Sequence, residues 1–299
     1  MSAHVRYRAE LEALASDEPI RRALGLTGEW RRTYARFFPD QEPFAVLTLQ
    51  AAGRMLRVDV FEGLRFEAVE LPPGTVRYHP GRRLTIRDGD RFGKIGVGPE
   101  LLAAQQELWA HRHEFGFAVA EPLGYENETL WLAAVPGVQP GPEFAERMGA
   151  ALRTLHDSGV RPVAHRERPD HAAELIRRVP ELRDRVEELL ADPPEPGPPR
   201  PLHGAPHPPQ WLLDGDALGL IDFDRFALGD PEADVAAFME AAAAEDEGGP
   251  VAEAFVRGYG ALDPRRLDYY RRERRVAKAL RAASALRPDG AERAARRLR

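Results

Sequence analysis

Apolar and polar positions alternate in the first part of this chain and recur at helical spacing in the second. Residues 10 to 26 carry mixed helical periodicity. Tyr34 to Phe38, Phe44 to Gln50, Met55 to Phe61 and Leu64 to Leu71 then read as short strands. Gln50-Ala51-Ala52-Gly53 and Glu62-Gly63 supply turns between them, which predicts a small antiparallel meander. Val76 to Val97 is a second alternating unit, folded back at Pro80-Gly81 and Asp88-Gly89. Pro99 to Phe115 predicts a helix, with Pro99 near its start, where a missing N–H costs least. Strands over Val119 to Leu123 and Thr129 to Val135 follow, ended by Pro136-Gly137. Helical spacing then governs Glu143 to Ser158, Ala172 to Leu190, Pro231 to Ala244 and the chain beyond Gly248-Gly249-Pro250. The pattern predicts an α+β protein with a β-rich N-terminal part and a helical C-terminal part.

Residues His203 to Asp234 break that helical run. Asp192 to Pro201 is too rich in proline for regular structure, and His203 to Pro209 holds three more prolines, so a linker leads into a fixed loop. Gln210 to Leu213 and Leu218 to Phe223 are apolar runs around Asp214-Gly215-Asp216, which predicts a hairpin. Such a hairpin brings Gln210 and Asp222 to neighbouring strand ends, with Asp224 close by. An amide oxygen and two carboxylates make the hard-oxygen set that Mg²⁺ accepts. His203 and His207 stand four apart, as in some zinc sites, but Pro206 and Pro208 forbid the helix that would put both rings on one face.

Composition narrows the class. Over 299 residues the chain is 43% hydrophobic and 30% charged, as expected of a globular protein with a sizeable core. It has no cysteine, hence no disulfide and no thiolate site. No apolar run has membrane-spanning length and residues 1 to 17 lack the order of a signal peptide, so a cytoplasmic protein is expected. A net charge of −6 gives no general reason to expect nucleic acid. Residues 265 to 299 hold 13 basic and 4 acidic residues, without a readout motif, and read as a solvated helix face. Of 42 basic residues only Lys94 and Lys278 are lysines, which makes Lys94 informative: a compact ammonium differs from a guanidinium fork.

The segment His203-Gly204 … His207, Ile221-Asp222-Phe223-Asp224, Gly229-Asp230-Pro231 and Asp234 resembles the catalytic stretch of the aminoglycoside phosphotransferase and choline kinase-like families. Their pattern is H-G-D-x-H-x-x-N, a hairpin, I-D-F/W-[DE], then G-D-P-x-x-D. The resemblance implies a two-lobed protein kinase-like fold, with a five-stranded sheet and one helix followed by a mostly helical lobe. On that reading residues 1–72 are an N-terminal β-rich extension, similar to the cap of maltokinases or serving packing alone. Residues 73–137 form the kinase-like N-lobe, and residues 138–299 the helical C-lobe with the catalytic hairpin at 203–224.

The resemblance also implies roles. Lys94 binds the phosphates of ATP, Glu107 is its expected partner on the helix (Gln105 and Gln106 being alternatives), and Asp222, Asp224 and Gln210 hold Mg²⁺. Asp230 reads as a helix cap and Asp234 as a brace of the catalytic loop. Two positions depart from the pattern: Ala205 replaces the catalytic aspartate, and Gln210 replaces the metal-binding asparagine. His203 and His207 flank the gap, and His207 is the candidate substitute base. The expected function is transfer of the ATP γ-phosphate to a hydroxyl of a small molecule, weakened by Ala205. The alternative is an inactive pseudokinase that serves as a nucleotide-binding or scaffold module. The acceptor is not specified; Glu240, Glu245, Asp246 and Glu247 are candidates for an acidic rim facing a cationic one.

Overall fold

The computed structural model describes residues 7–14, 16–38, 41–51, 54–61, 64–81, 83–162, 170–245 and 249–299. Helices and strands are numbered in chain order among these residues. The chain divides into two compact units: residues 1–82, 169–191 and 275–299 form one, and residues 83–168 and 192–274 the other.

In the first unit, α1 (Arg8–Ala13) and α2 (Glu18–Ala23) precede four strands, β1 (Arg31–Phe37), β2 (Ala45–Ala51), β3 (Arg54–Val60) and β4 (Leu64–Val69). These pair antiparallel in the order β1-β2-β3-β4, the meander that the alternation predicts. Register explains the core. Ala45, Leu47 and Leu49 lie opposite Val60, Val58 and Leu56. That apolar face packs with Leu11, Leu14, Ile20, Trp30 and Leu286. The opposite face sets Arg57 against Glu67 and Asp59 against Arg65. Strand β5 (Thr75–His79) follows.

The helix expected over residues 172 to 190 is two helices, α5 (His171–Arg178) and α6 (Arg183–Leu189). Pro180 starts a single 3₁₀ turn between them, because it has no N–H for the α-helical ladder. Leu175, Val186 and Leu189 pack with Val276, Ala279, Ala283, Ala294 and Leu298, which come from the end of α9 (Pro264–Ala283), α10 (Gly290–Arg297) and Leu298 beyond it.

In the second unit, β6 (Arg83–Asp88), β7 (Arg91–Ile95), β8 (Pro122–Glu126) and β9 (Thr129–Ala133) lie side by side in the order β6-β7-β9-β8. Helix α3 (Glu100–Ala110) joins β7 to β8, and α4 (Ala145–Asp157), α7 (Glu232–Glu245) and α8 (Pro250–Tyr259) make the helical part. The catalytic-like segment supplies β10 (Arg200–Leu202), β11 (Trp211–Asp214), β12 (Ala217–Leu220) and β13 (Ala227–Gly229). One core joins α3, α4, the hairpin β11–β12, α7 and α8, with Leu108, Phe117, Leu152, Trp211, Phe223, Phe238 and Phe255 among its buried members.

The strand expected to start at Val119 begins at Pro122 instead. Ala118 bonds with the hairpin, its N–H donating to Leu218 (2.8 Å) and its carbonyl accepting from Leu220 (2.9 Å). Val138 bonds with Leu213 on the other strand of the hairpin (3.0 and 2.8 Å). The hairpin is thus clamped on both strands. Much of the basic C-terminal region is also engaged: Arg266 pairs with Glu232 and Asp263, Arg271 with Glu240, and Arg293 with Asp289. Among the described residues no helix is long and apolar enough to cross a membrane.

Candidate functional site

Hairpin β11–β12 places the two ends that matter side by side. The N–H of Ile221 donates to the carbonyl of Gln210 (3.1 Å), and the Gln210 amide nitrogen reaches Asp222 (3.4 Å). Asp222 has a φ of +74°, a backbone region that residues with a side chain rarely adopt. Buried Phe223 follows, with its ring 4.4 Å from that of His203. An aspartate held at positive φ beside an anchored phenylalanine turns its carboxylate toward β7.

There it meets Lys94. The ammonium donates to Asp222 at 2.9 Å and also to Asp224, which in turn accepts from Arg83. Four charges therefore close on one another: two carboxylates, one ammonium and one guanidinium. Burial alone would raise the Asp222 carboxyl, but Lys94 and, behind it, Arg83 reverse this and hold it well below the usual carboxylate range. Two acidic and two basic side chains thus balance in formal charge.

The loop before the hairpin is fixed from beneath. Asp234, fully buried on α7, accepts from the N–H groups of His203 (2.7 Å) and Gly204 (2.8 Å) and sits 3.2 Å from His156. This is the brace that the resemblance implied. Arg274 donates to the carbonyls of Gly204 (3.2 Å) and Ala233 (3.4 Å). Gly204 has φ +91°, and a Cβ there would stand 2.5 Å from the carbonyl oxygen of Arg225, so only glycine fits. His203 is fully buried, with Nε2 facing the carbonyl of Ile221 (2.9 Å) and Nδ1 accepting from the N–H of Ala205 (3.3 Å). That pair of contacts needs a neutral ring, and burial does push the imidazole below its usual value, against the pull of Asp234.

Several expected residues sit differently. Glu107, the expected partner of Lys94, faces His111 (3.3 Å) one turn along its own helix and the N–H of Arg161 (3.4 Å). Lys94 takes the two aspartates instead. Gln210 presents nitrogen, not oxygen, to Asp222, because its Oε1 accepts from the N–H of His207 (2.8 Å). Ala205 is buried, its carbonyl accepting from the N–H of His207 (2.8 Å) in a tight turn. Asp230 does not cap α7 with its side chain. It accepts from the N–H of Gly197 (2.7 Å) and the hydroxyl of Tyr270 (2.6 Å), tying the proline-rich linker to α9. Of the acidic rim candidates, Glu240 is buried and paired with Arg271 (3.4 Å). Asp246, Glu247 and the side chain of Glu245 lie outside the described residues.

Arg83 and Arg274 escaped the sequence reading. A signal for Arg83 existed. The Asp88-Gly89 turn fixes the register of β6 on β7, so Thr85 lies opposite Lys94, and Arg83, two residues earlier, shares their face.

Among the described residues no cluster of three or more His, Cys, Asp or Glu side chains forms a metal-holding group. The Asp222 and Asp224 carboxylates nevertheless match a hard divalent cation in chemistry. All four of their oxygens carry a donor here: Lys94 on one oxygen of each, Gln210 on the second oxygen of Asp222 and Arg83 on that of Asp224. A cation there would have to exchange with these groups.

The model of the phosphotransferase enzyme family, APH, matches residues 91–290, more than half of the 299-residue chain, and the chain belongs to that family. No curated protein matches it. Among solved structures it is similar to a choline/ethanolamine kinase family protein from Mesorhizobium loti, with TM-score 0.53 and 19% identity, covering 72% of this chain and 83% of that one. Choline kinase LicA from Streptococcus pneumoniae gives TM-score 0.53 at 12% identity, over 75% of this chain and 91% of that one. The aminoglycoside phosphotransferase APH(2'')-IIa, solved as a ternary complex with streptomycin and ATP, gives 0.53 at 12% identity, over 70% and 84%. The fold is therefore the α+β, protein kinase-like fold of these enzymes.

Proposed function

We propose that the protein binds ATP with Mg²⁺ and is a small-molecule phosphotransferase whose transfer step is slow. The observation that supports this most directly is the Lys94–Asp222–Asp224–Arg83 quartet. Lys94 and Arg83 are cations of the kind that neutralise phosphates, and together they reach the Asp222 and Asp224 carboxylates, the residue type that holds a divalent metal. A triphosphate drawing Lys94 and Arg83 to itself frees both aspartates for Mg²⁺ at the same moment. Asp222 and Asp224 would hold the magnesium, which would supply shielding of the phosphate charge. Gln210 joins it only if its amide turns over, giving up the His207 N–H.

Residues 73–137 then serve as the nucleotide lobe and residues 138–299 as the acceptor lobe, with residues 1–72 an addition to both. The acceptor hydroxyl finds a methyl group where the family places a carboxylate. Loss of a positioned base lowers the rate by roughly a hundred to ten-thousand-fold. His203 cannot replace it, since both its ring nitrogens serve the backbone. His207 is the titratable side chain left in the loop for that role. The same methyl favours a second reading, a pseudokinase that binds nucleotide and transfers nothing.

Calorimetry of ATP binding with and without Mg²⁺ tests the shared part of both readings, with Asp222→Ala as control. Binding that the control loses supports the site, and absence of binding at millimolar ATP overturns it. Turnover of ATP by Ala205→Asp across a panel of hydroxyl acceptors then separates the slow enzyme from the scaffold.

A further inference from the structure

The meander of the first unit ends at β4, and among the described residues no strand pairs with its outer edge. Such edges are usually blunted by charged side chains, proline or a bulge. Strand β4, Leu-Arg-Phe-Glu-Ala-Val, has neither proline nor bulge, and its two charges, Arg65 and Glu67, are of opposite sign. Its four central residues are exposed, Phe66 by 57%.

The charges on this strand follow a rule. Across β3 and β4 one face of the sheet sets Asp59 opposite Arg65 and Arg57 opposite Glu67, so the sign alternates both along the strand and across it. The other face carries Leu64, Phe66 and Ala68, continuing the apolar side of Val60, Val58 and Leu56. An edge of this composition is complementary to itself.

We infer that β4 pairs antiparallel with β4 of a second copy of this chain, about a two-fold axis at Phe66. In that register Arg65 faces Glu67 of the second copy and Glu67 faces its Arg65. The charge row Asp59, Arg65, Glu67, Arg57 then runs unbroken from one copy into the other, negative, positive, negative, positive. Leu64 faces Ala68, and the two Phe66 rings meet over the joined apolar surface. An axis at Arg65 or at Glu67 sets like charges opposite each other. Slipping by one residue sets arginine against phenylalanine and sends the two apolar faces to opposite sides of the sheet. Self-pairing uses the same patch on both copies and consumes the edge, so the assembly closes at two. Strand β4 lies outside the residues matched by the family model, so this inference stands apart from the nucleotide site.

Light scattering on the full chain tests the contact, with twice the chain mass as the expected result. Arg65→Glu makes the edge wholly acidic and Glu67→Arg makes it wholly basic. Each change acts twice across the axis, weakening the dimer by roughly tenfold or more. An equimolar mixture of the two variants restores the doubled mass, because the acidic edge then meets the basic one. The cysteine-free chain allows a second measurement, of register. Phe66→Cys, placed opposite itself, forms a disulfide-linked dimer on oxidation, whereas Leu64→Cys, placed opposite Ala68, does not. A wild-type chain that stays at single mass, a dimer that neither charge variant weakens, or variants that fail to pair when mixed would each overturn the inference.

Discussion

Lys94 and Asp222 lie 128 positions apart in the chain, and their side chains meet at 2.9 Å. One β-strand and one hairpin end are therefore joined by a charge contact that a phosphate ligand at Lys94 would have to break. Lys94→Met removes the cation for phosphate and leaves two carboxylates facing each other. Nucleotide affinity should fall by roughly ten- to a hundred-fold, the loss expected for one charge-assisted contact. Titration calorimetry at constant Mg²⁺ reads this directly.

Arg83 should behave as a second phosphate ligand. Arg83→Ala weakens ATP more than AMP, because only the distal phosphates draw the guanidinium from Asp224. Equal weakening of the two nucleotides would leave Arg83 a structural partner of Asp224 and nothing more. Competition binding with both nucleotides distinguishes these outcomes.

Restoring the missing carboxylate has two opposed effects. Ala205→Asp should raise phosphoryl transfer by roughly a hundred-fold or more in single-turnover kinetics. It should also lower the melting temperature, because position 205 is buried and a carboxylate there loses its hydration.

The loop brace makes a prediction about stability alone. Asp234→Ala strips the acceptor from the N–H groups of His203 and Gly204 and the partner from His156. Removing one side of such a buried network costs about 3–5 kcal/mol, read as a shift of the urea midpoint.

His203 adds a pH dependence whose sign follows from its neutral ring. The unfolded chain takes up a proton near pH 6.5, while the buried ring resists it. Stability is therefore full above about pH 6.5 and falls as pH drops below it, since the unfolded state binds more protons. His203→Gln should flatten that decline in urea melts. Asp222 and Asp234, both held low, add a further loss only below about pH 4, as they protonate.

What the sequence revealed depended on range. The meander and the hairpin were legible because alternation and turn residues act locally. The break at Pro180 was missed because amphipathic spacing on either side of it hides a missing N–H. Asp230 has the position of a helix cap, but its carboxylate is taken by Gly197 and Tyr270, partners 33 and 40 residues away. Glu107 failed as the partner of Lys94 for the same kind of reason: the His111 ring, one turn on, was the nearer partner. The Arg83–Asp224 contact spans 141 residues, beyond any periodicity, although the register of β6 on β7 already put Arg83 beside Lys94.

The first unit draws on three separated stretches of chain, and its meander core includes Leu286, while the N–H at the end of β1, on Phe37, donates to the carbonyl of Ser284. During synthesis the meander and the helices before it leave the ribosome long before Ser284 and before Leu286, the last buried member of that core along the chain. The first sheet is thus completed by a stretch of chain made much later, and premature termination before Ser284 deprives the beginning of the chain of those contacts.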